Sequence, residues 1–414
     1  MRCPAAEVCI GLALLAAWVG SAAAAGQPRW GGEVAAGAWS GSRDLDDRSG
    51  SAVTRATLTL DWAPQPLLRV RADLWADATS WRAGDGQRAQ AGVREALLAW
   101  RGPCEPAVGK RVVAWGRTDV ISPTDQLTPT DYRRLTPKDP ERRLGVWGLH
   151  LNCSIGSGQL QAHVIDPRSF HRLPYAAQAG VAVLDERPRA RAATAVKYEV
   201  MGSGLDGSIS AIEGIDPHPT LALRGADAAG LRLGQTATRM RLLGADVAVS
   251  EGSRIWRAEA AWVDYENVPS SPQAQRRPWA SAVLQVEWAA SATDTLSLQG
   301  FVKRLRGEAP RTSNPTLAAL QQAQGLLANE LDRHQRGWTL RWARRFAGER
   351  MELEVLLVHA LPRDDGLLRM RWSHTLSDSL RLSLGAEHYF GPTDSYLGNL
   401  RRNSLAFLEV GHVW

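Results

Sequence analysis

The sequence predicts an all-β fold: one antiparallel transmembrane β-barrel of about 18 strands, with 16 as the alternative. Three observations carry that expectation. Apolar residues recur at every second position in segment after segment from Trp30 onward, the connectors between those segments alternate short and long, and 17 Trp stand against five Phe and six Tyr.

The N-terminus is read first. Met1-Arg2 opens a short apolar core from Val8 to Val19, followed by the small residues Ser21-Ala22-Ala23-Ala24-Ala25. This is the pattern of a cleaved secretory signal peptide, 1–25, too short and wrongly flanked for a membrane-spanning helix. Cys9 follows Ala6-Glu7-Val8, which is not the setting of a lipidated cysteine. Residues 26–414 are then expected to form a single domain. No later segment approaches the roughly 20 apolar residues of a membrane helix, so a membrane location requires a closed barrel, in which every backbone polar group is satisfied. The negative mean hydropathy agrees with strands that are half polar.

Clear alternating segments are Ala56-Leu58-Leu60-Trp62, Leu68-Val70-Ala72-Leu74, Trp256-Ala258-Ala260-Trp262, Leu284-Val286-Trp288, Trp338-Leu340-Trp342 and Leu380-Leu382-Leu384. Period-two patterning of this kind is the strand signal. Trp39, Trp62, Trp100, Trp262, Trp288 and Trp414 sit at segment ends, as the aromatic girdles of a barrel would.

Short connectors are Ala63–Pro66, Ser154–Ser157, Gly202–Leu205, Gly252–Ser253, Ser291–Asp294 and Ser377–Asp378. Long ones alternate with them: Gly41–Ser51, Thr79–Gln90, Gly116–Leu144, Pro167–Arg191, Tyr265–Pro278 and Gly307–Gln335. Short periplasmic turns alternating with long external loops are the asymmetry of bacterial outer-membrane barrels. Pro315 to Leu331 reads as a short helix inside an external loop. Ser404 to Trp414 alternates Leu408, Val410 and Trp414 against Glu409, Gly411 and Val413. It resembles the closing strand of such a barrel, by which the barrel-assembly machinery would engage the chain, with His412 a departure from the usual apolar or tyrosyl residue.

Of four cysteines, Cys3 and Cys9 fall in the signal, leaving Cys104 and Cys153. An even pair in an exported chain reads as a disulfide. The topology puts Cys104 in a turn Gly102–Val108 and Cys153 at the entry to Ser154–Ser157, so the bond is expected to tie two neighbouring periplasmic turns.

The chain carries 49 Lys and Arg against 43 Asp and Glu, a net charge of +6. A basic exported chain suits anionic lipid or an anionic solute; no nucleic-acid module is present. No Gly-x-Ser-x-Gly, His-Glu-x-x-His or phosphate loop occurs, so no enzyme is expected and no cofactor or metal is implied. His359, His374 and His388 fall on apolar-alternating positions suited to packing at the interface.

Function is sought in two places. Arg69, Arg71, Arg341, Arg345, Arg369, Arg371 and Arg381 lie between the apolar alternates. A charge on the lipid face costs about 2–4 kcal/mol at midplane, so these are assigned to the lumen. Guanidinium groups there would favour anions, unless Asp73, Asp77, Glu259, Glu287, Glu352, Glu354 and Glu387 neutralise them as ion pairs. The second place is the loop 116–144, expected to fold inward as a constriction through Arg117, Asp119, Asp125, Asp131, Tyr132 and Arg133. Pro-Thr-Asp occurs in it twice, at 123–125 and again six residues on at 129–131. Asp in that setting closes Asx turns. No calcium-loop spacing accompanies these Asp residues.

The run Arg94–Trp100, then Trp115-Gly116-Arg117-Thr118-Asp119, then Pro123-Thr124-Asp125-Gln126-Leu127-Thr128-Pro129-Thr130-Asp131-Tyr132 resembles a family of Gram-negative outer-membrane β-barrel proteins. The resemblance implies porin-like architecture and supplies no substrate. Thr130 stands where family members often carry Arg.

The reading reached is a channel in the bacterial outer membrane for passive diffusion of small hydrophilic solutes, anions among the candidates. The alternatives are an export or assembly component for a secreted polysaccharide or other polymer, similar in outline to the alginate-export porin, or a structural barrel plugged by its loops. The apolar outer wall suits outer-membrane lipid or, in a homotrimer, another barrel.

Overall fold

The computed structural model describes residues 26–41, 50–80, 87–167, 169–174, 181–184, 191–228, 230–266, 276–308 and 312–414. The expected signal segment, most of the expected loops Gly41–Ser51 and Tyr265–Pro278, and half of Thr79–Gln90 lie outside the described residues.

The chain opens with β1 (Arg29–Gly41), β2 (Gly50–Gln65), β3 (Leu68–Ser80), β4 (Gln87–Trp100), β5 (Cys104–Arg111), β6 (Val146–Ile155) and β7 (Gly158–Ile165). After the short β8 (Val181–Leu184) come β9 (Ala193–Met201), β10 (Leu205–Ile215), β11 (Thr220–Asp227) and β12 (Gly230–Thr236). Next are β13 (Arg239–Glu251), β14 (Arg254–Glu266), β15 (Trp279–Ala289), β16 (Asp294–Leu305) and the helix α1 (Pro315–Leu327). The chain ends with β17 (His334–Phe346), β18 (Met351–Ala360), β19 (Asp365–Thr375), β20 (Leu380–Phe390) and β21 (Leu405–Val413).

Eighteen of these strands form one sheet, each antiparallel to its neighbours. The sheet closes because β1 pairs on one side with β2, Arg29 opposite Asp61, and on the other with β21, Glu33 opposite Val413 and Gly41 opposite Leu405. The strand Leu405–Val413 is therefore the closing strand. β8, β11 and β12 make a separate three-stranded sheet in the external loops. There Leu221 and Leu233 pack with Leu320 of α1, capped by the Asn314 side chain accepting from the Thr316 and Leu317 amides.

Parity follows the sequence pattern. On β16, Leu298 and Val302 are exposed on the outer face while Ser297 and Gln299 are buried inside. Trp30, Trp100, Trp256, Trp288 and Trp414 are exposed near the short-turn rim, and Trp262 lies toward the long-loop rim. Trp39 corrects the girdle reading. It has inward parity, is 4% exposed and stacks on Phe407 with ring centroids 4.4 Å apart.

Three connections also differ from expectation. β2 runs on to Gln65 through a register irregularity after Trp62, moving that turn toward the chain's next residues. Irregular pairing keeps both strands hydrogen-bonded past the Ala63-Pro64 step, where Pro lacks a donor. The hairpin at Ala347 to Arg350, with Ala347 and Glu349 at positive φ, carries no strong turn signature. Finally, β5 begins at Cys104, so residues 104–108 are strand and not turn. Cys104 and Cys153 are direct cross-strand partners joined by a disulfide.

That bond closes a loop of sequence separation 49 that contains the entire inward-folded segment. Chain-entropy reasoning gives such a cross-link about 4 kcal/mol. The Cys104→Ser, Cys153→Ser double variant is expected to unfold at a clearly lower denaturant midpoint, with a slope equal to or steeper than that of the cross-linked chain because its unfolded state is less compact. An unshifted midpoint in refolded barrels would show that β5 and β6 are held together without the bond.

Candidate functional site

The loop leaving β5 at Arg111 and entering β6 at Val146 turns into the barrel and divides into two lobes joined by a stem. The stem starts where the Val113 amide donates to Thr128 Oγ1 (2.8 Å) and Thr128 Oγ1 donates back to Val113 O (2.7 Å). Trp115, 4% exposed, drives into an apolar cluster with Leu127, Met240, Leu242, Val263 and Trp279, and its indole donates to Gln161 (3.0 Å). Inward apolar residues of β13–β15 are thus covered by the loop.

The first lobe is organised on one carboxylate. Glu259 of β14, 2% exposed, receives the Arg117 and Thr118 amides and the hydroxyls of Thr118 (2.8 Å), Ser122 (2.7 Å) and Thr124 (3.1 Å). A buried carboxylate with every lone pair engaged is tolerable; an unpaired one is not. Gly116 has φ +100°, and a Cβ there would sit 2.0 Å from Ser122 Oγ and 2.9 Å from Glu259 Oε1. The turn therefore requires glycine. Arg117 then bonds Asp246 (2.5 Å) and Glu199, with Asp206 at 3.7 Å. Beyond it, Asp119 and Gln285 exchange two hydrogen bonds (3.0 and 2.8 Å), as do Ile121 and Gln299 (3.2 and 3.0 Å).

The second lobe reaches the opposite wall. Arg134 lies 4.3 Å over the Trp75 ring and binds Asp77 bidentately at 2.7 and 2.9 Å. Arg55, 2% exposed, joins Glu409 of β21 (2.6 and 3.1 Å) to Glu141 of the lobe, while Lys138 pairs with Glu33. A 3-10 turn, Asp139–Arg142, sets Asp139 beside Arg142. Asp139 bonds Arg369 (2.9 Å) and Arg371 (3.0 and 3.1 Å), and Arg142 lies 3.7 Å from Glu387. Burial pushes the Asp139 carboxyl up, but Arg369, Arg371 and Arg142 outweigh it and hold it down to about 2. Its side chain is 45% exposed, so mobile ions screen part of this attraction. Glu141 is lowered too: burial opposes, and Arg55, Thr136 and Lys138 prevail.

Arg341, Arg369 and Arg371 line the lumen in one cluster, Arg341 paired with Glu354 (2.8 Å), Arg369 with Glu354 (3.2 Å) and Arg371 with Glu387 (3.1 Å). Arg69 and Arg71 form a separate pair near the short-turn mouth, both on Asp61. Arg381 donates to Ser373 (2.8 Å), and Arg345 faces inward across from Glu352 at that same rim. The loop residues also separate. Arg117 and Asp119 belong to the first lobe. Asp125 salt-bridges Arg143, while Asp131, 2% exposed, holds Arg133 and Arg172. Tyr132 lies beside His171, ring centroids 5.6 Å apart. Asp125, Asp131, Tyr132 and Arg133 therefore fasten the stem to itself and to the next external loop.

The wall that neither lobe bonds, among the described residues, is β17 and β18, with Thr339, Arg341 and Glu354 inward. Asp119 on one side and Asp139 with its arginines on the other flank that wall. Sequence reasoning missed Arg55, Asp139, Asp246 and Glu409. Asp139-Pro140 is the one local signal, since an acid before proline commonly opens a helical turn.

No protein-family model and no curated protein sequence matches the chain. Solved structures do. The chain is similar to OccAB1 of Acinetobacter baumannii, at TM-score 0.56 and 8% identity over 93% of this chain and 95% of that one. It is also similar to Pseudomonas aeruginosa OpdK, solved with vanillate, at TM-score 0.57 and 10% identity over 94% and 98%. For a doubly substituted OccD1 (OprD) the values are 0.55, 11%, 96% and 98%. At such identities the likeness is one of fold, an outer-membrane porin barrel.

Because the folded Asp139 carboxyl sits near 2 against about 3.9 when unpaired, its contribution is full above about pH 4 and is lost as pH falls toward 2. Pepsin, normalised to a denatured substrate, is expected to spare residues 134–143 at pH 4 and cut them at pH 2. Asp139→Asn should be cut at both. Equal protection of both chains at both pH values would remove Asp139 as an anchor.

Proposed function

We propose that the chain is a passive outer-membrane channel for small hydrophilic solutes bearing a carboxylate or phosphate. The path runs between the inward loop and the wall of β17 and β18. The observation that carries this reading is the guanidinium cluster at the narrowing. Arg142, Arg341, Arg369 and Arg371 stand against Asp139, Glu354 and Glu387. The four arginine side chains stay 14–29% exposed, so the open guanidinium edges beside these pairs keep donor capacity for a planar oxyanion.

Opposite this cluster lies the acidic first lobe, with Asp119 foremost. A solute crossing between them meets a transverse field, which orients a molecule with one anionic end toward Arg341, Arg369 and Arg371. Paired arginines also keep the wall from trapping anions, because each incoming carboxylate competes with one already present.

Planar-bilayer recordings of the refolded chain under a salt gradient test this. A steady conductance with modest anion preference is expected. Arg341→Gln with Arg371→Gln should shift the reversal potential toward cations; one unit charge at 4 Å in a water-like medium is worth about 1 kcal/mol, or roughly five-fold in local anion occupancy. A barrel silent until residues 117–134 are deleted would instead be a plug, and an unmoved reversal potential would strip the arginines of their selective role.

A further inference from the structure

The outer wall carries a feature the solute path does not use. Between β13 and β17, near the long-loop rim, the lipid-facing surface sinks into a concavity of about 1030 Å³. Its floor is a row of cross-strand partners, Ala245, Ala260 and Ala282, continued by Val302 and Arg336. The next row toward the rim runs Leu243, Trp262, Ala280, Arg304 and His334. Three consecutive alanines flanked by Leu243 (64% exposed) and Trp262 (46% exposed) make a trough where a barrel otherwise shows a convex wall of large side chains.

The cations at its upper end are the second observation. Arg304, His334 and Arg336 are exposed and have no ion-pair or side-chain hydrogen-bond partner among the described residues. Neighbouring rim arginines differ: Arg306 lies 3.5 Å over the Trp262 ring and bonds Asp264 (2.6 Å), and Arg239 bonds Glu213 (2.7 Å). On β16 the outward residues are Leu296, Leu298, Gly300 and Val302 before Arg304, so these cations stand where the apolar band ends.

We propose that this trough seats an outer-leaflet lipid bearing phosphate, its acyl chain along the alanine row and its phosphate between Arg304 and Arg336. Alanines leave room for a chain that larger residues would exclude. Arginine binds phosphate bidentately, and a cation at the headgroup level gains from an anionic surface. The inference is independent of the solute and rests only on the barrel standing in the outer membrane.

The probe is bisphosphorylated lipid A, added to the full chain in detergent and read by native mass spectrometry, with the dephosphorylated lipid alongside. Losing two charge-assisted contacts is expected to weaken retention about ten-fold or more in Arg304→Ala/Arg336→Ala. Ala282→Trp, which fills the trough, should weaken it as well, and dephosphorylated lipid should bind wild type no better than the probe binds the double variant. A heat-shift gel verifies each barrel, and Arg336→Gln alone repeats the test with the least perturbation. Equal retention of both lipids, or of the probe by all chains, would overturn the proposal. So would a wild-type dimer that Ala282→Trp converts to a monomer, since the trough would then seat a second barrel.

Discussion

Everything in this molecule follows from the pairing of β1 with β21. In a hydrocarbon layer an unpaired amide or carbonyl costs several kcal/mol, and a sheet with two free edges would present a full row of them. Glu33 opposite Val413 through Gly41 opposite Leu405 removes those edges. Closure also fixes parity for every strand at once, because a one-residue slip anywhere would turn a set of inward charges toward lipid. Arg55, Asp77, Glu259 and Glu409 can be buried charges only because closure gives them an inside.

That inside is not filled as a small barrel would be. An 18-strand ring is too wide for its own side chains to span, and the loop between β5 and β6 supplies the missing contents. It does so by two different physical means. On the β13–β16 side, Trp115 and Leu127 bury against Met240, Leu242 and Val263, an ordinary hydrophobic contact inside a membrane protein. On the β1–β3 side the attachment is ionic, through Arg134 with Asp77 and Arg55 with Glu141 and Glu409. Buried ion pairs of this kind add little net stability over apolar packing, but breaking one partner is severe, so they fix position and register. The loop is thereby held in one place against both walls.

How much of this the chain disclosed before folding depends on range. Strands were legible because alternation is local, and Leu405–Val413 shows it in nine residues. The lumen side of Arg341, Arg369 and Arg371 was legible for the same reason. Trp39 was misread because a girdle and an inward stack differ only by which neighbour lies opposite, here Phe407, 368 positions away. Met240 and Leu242 sit among outward apolar residues with no alternation to separate the faces, since the loop covers the inner one. Cys104 was placed in a turn because Gly102-Pro103 marks one, and nothing local shows that the strand starts at once after it. Glu259 reads as one more lumenal acid; that five loop donors converge on it is a fact of tertiary structure alone.

The two lobes also explain why a wall so rich in charge need not bind its traffic. At the first lobe the carboxylates are consumed by Arg117 and by backbone amides, leaving Asp119 as the forward group. At the second, Asp139 is consumed by Arg369, Arg371 and Arg142, whose side chains stay 14–16% exposed. The free capacity on one side is acceptor and on the other is donor. A field of that form acts on orientation more than on affinity, since each contact a solute gains displaces one the protein already has. In the proposed channel, fast passage and discrimination between ionic forms are then compatible, and both would derive from a loop whose position the barrel wall dictates.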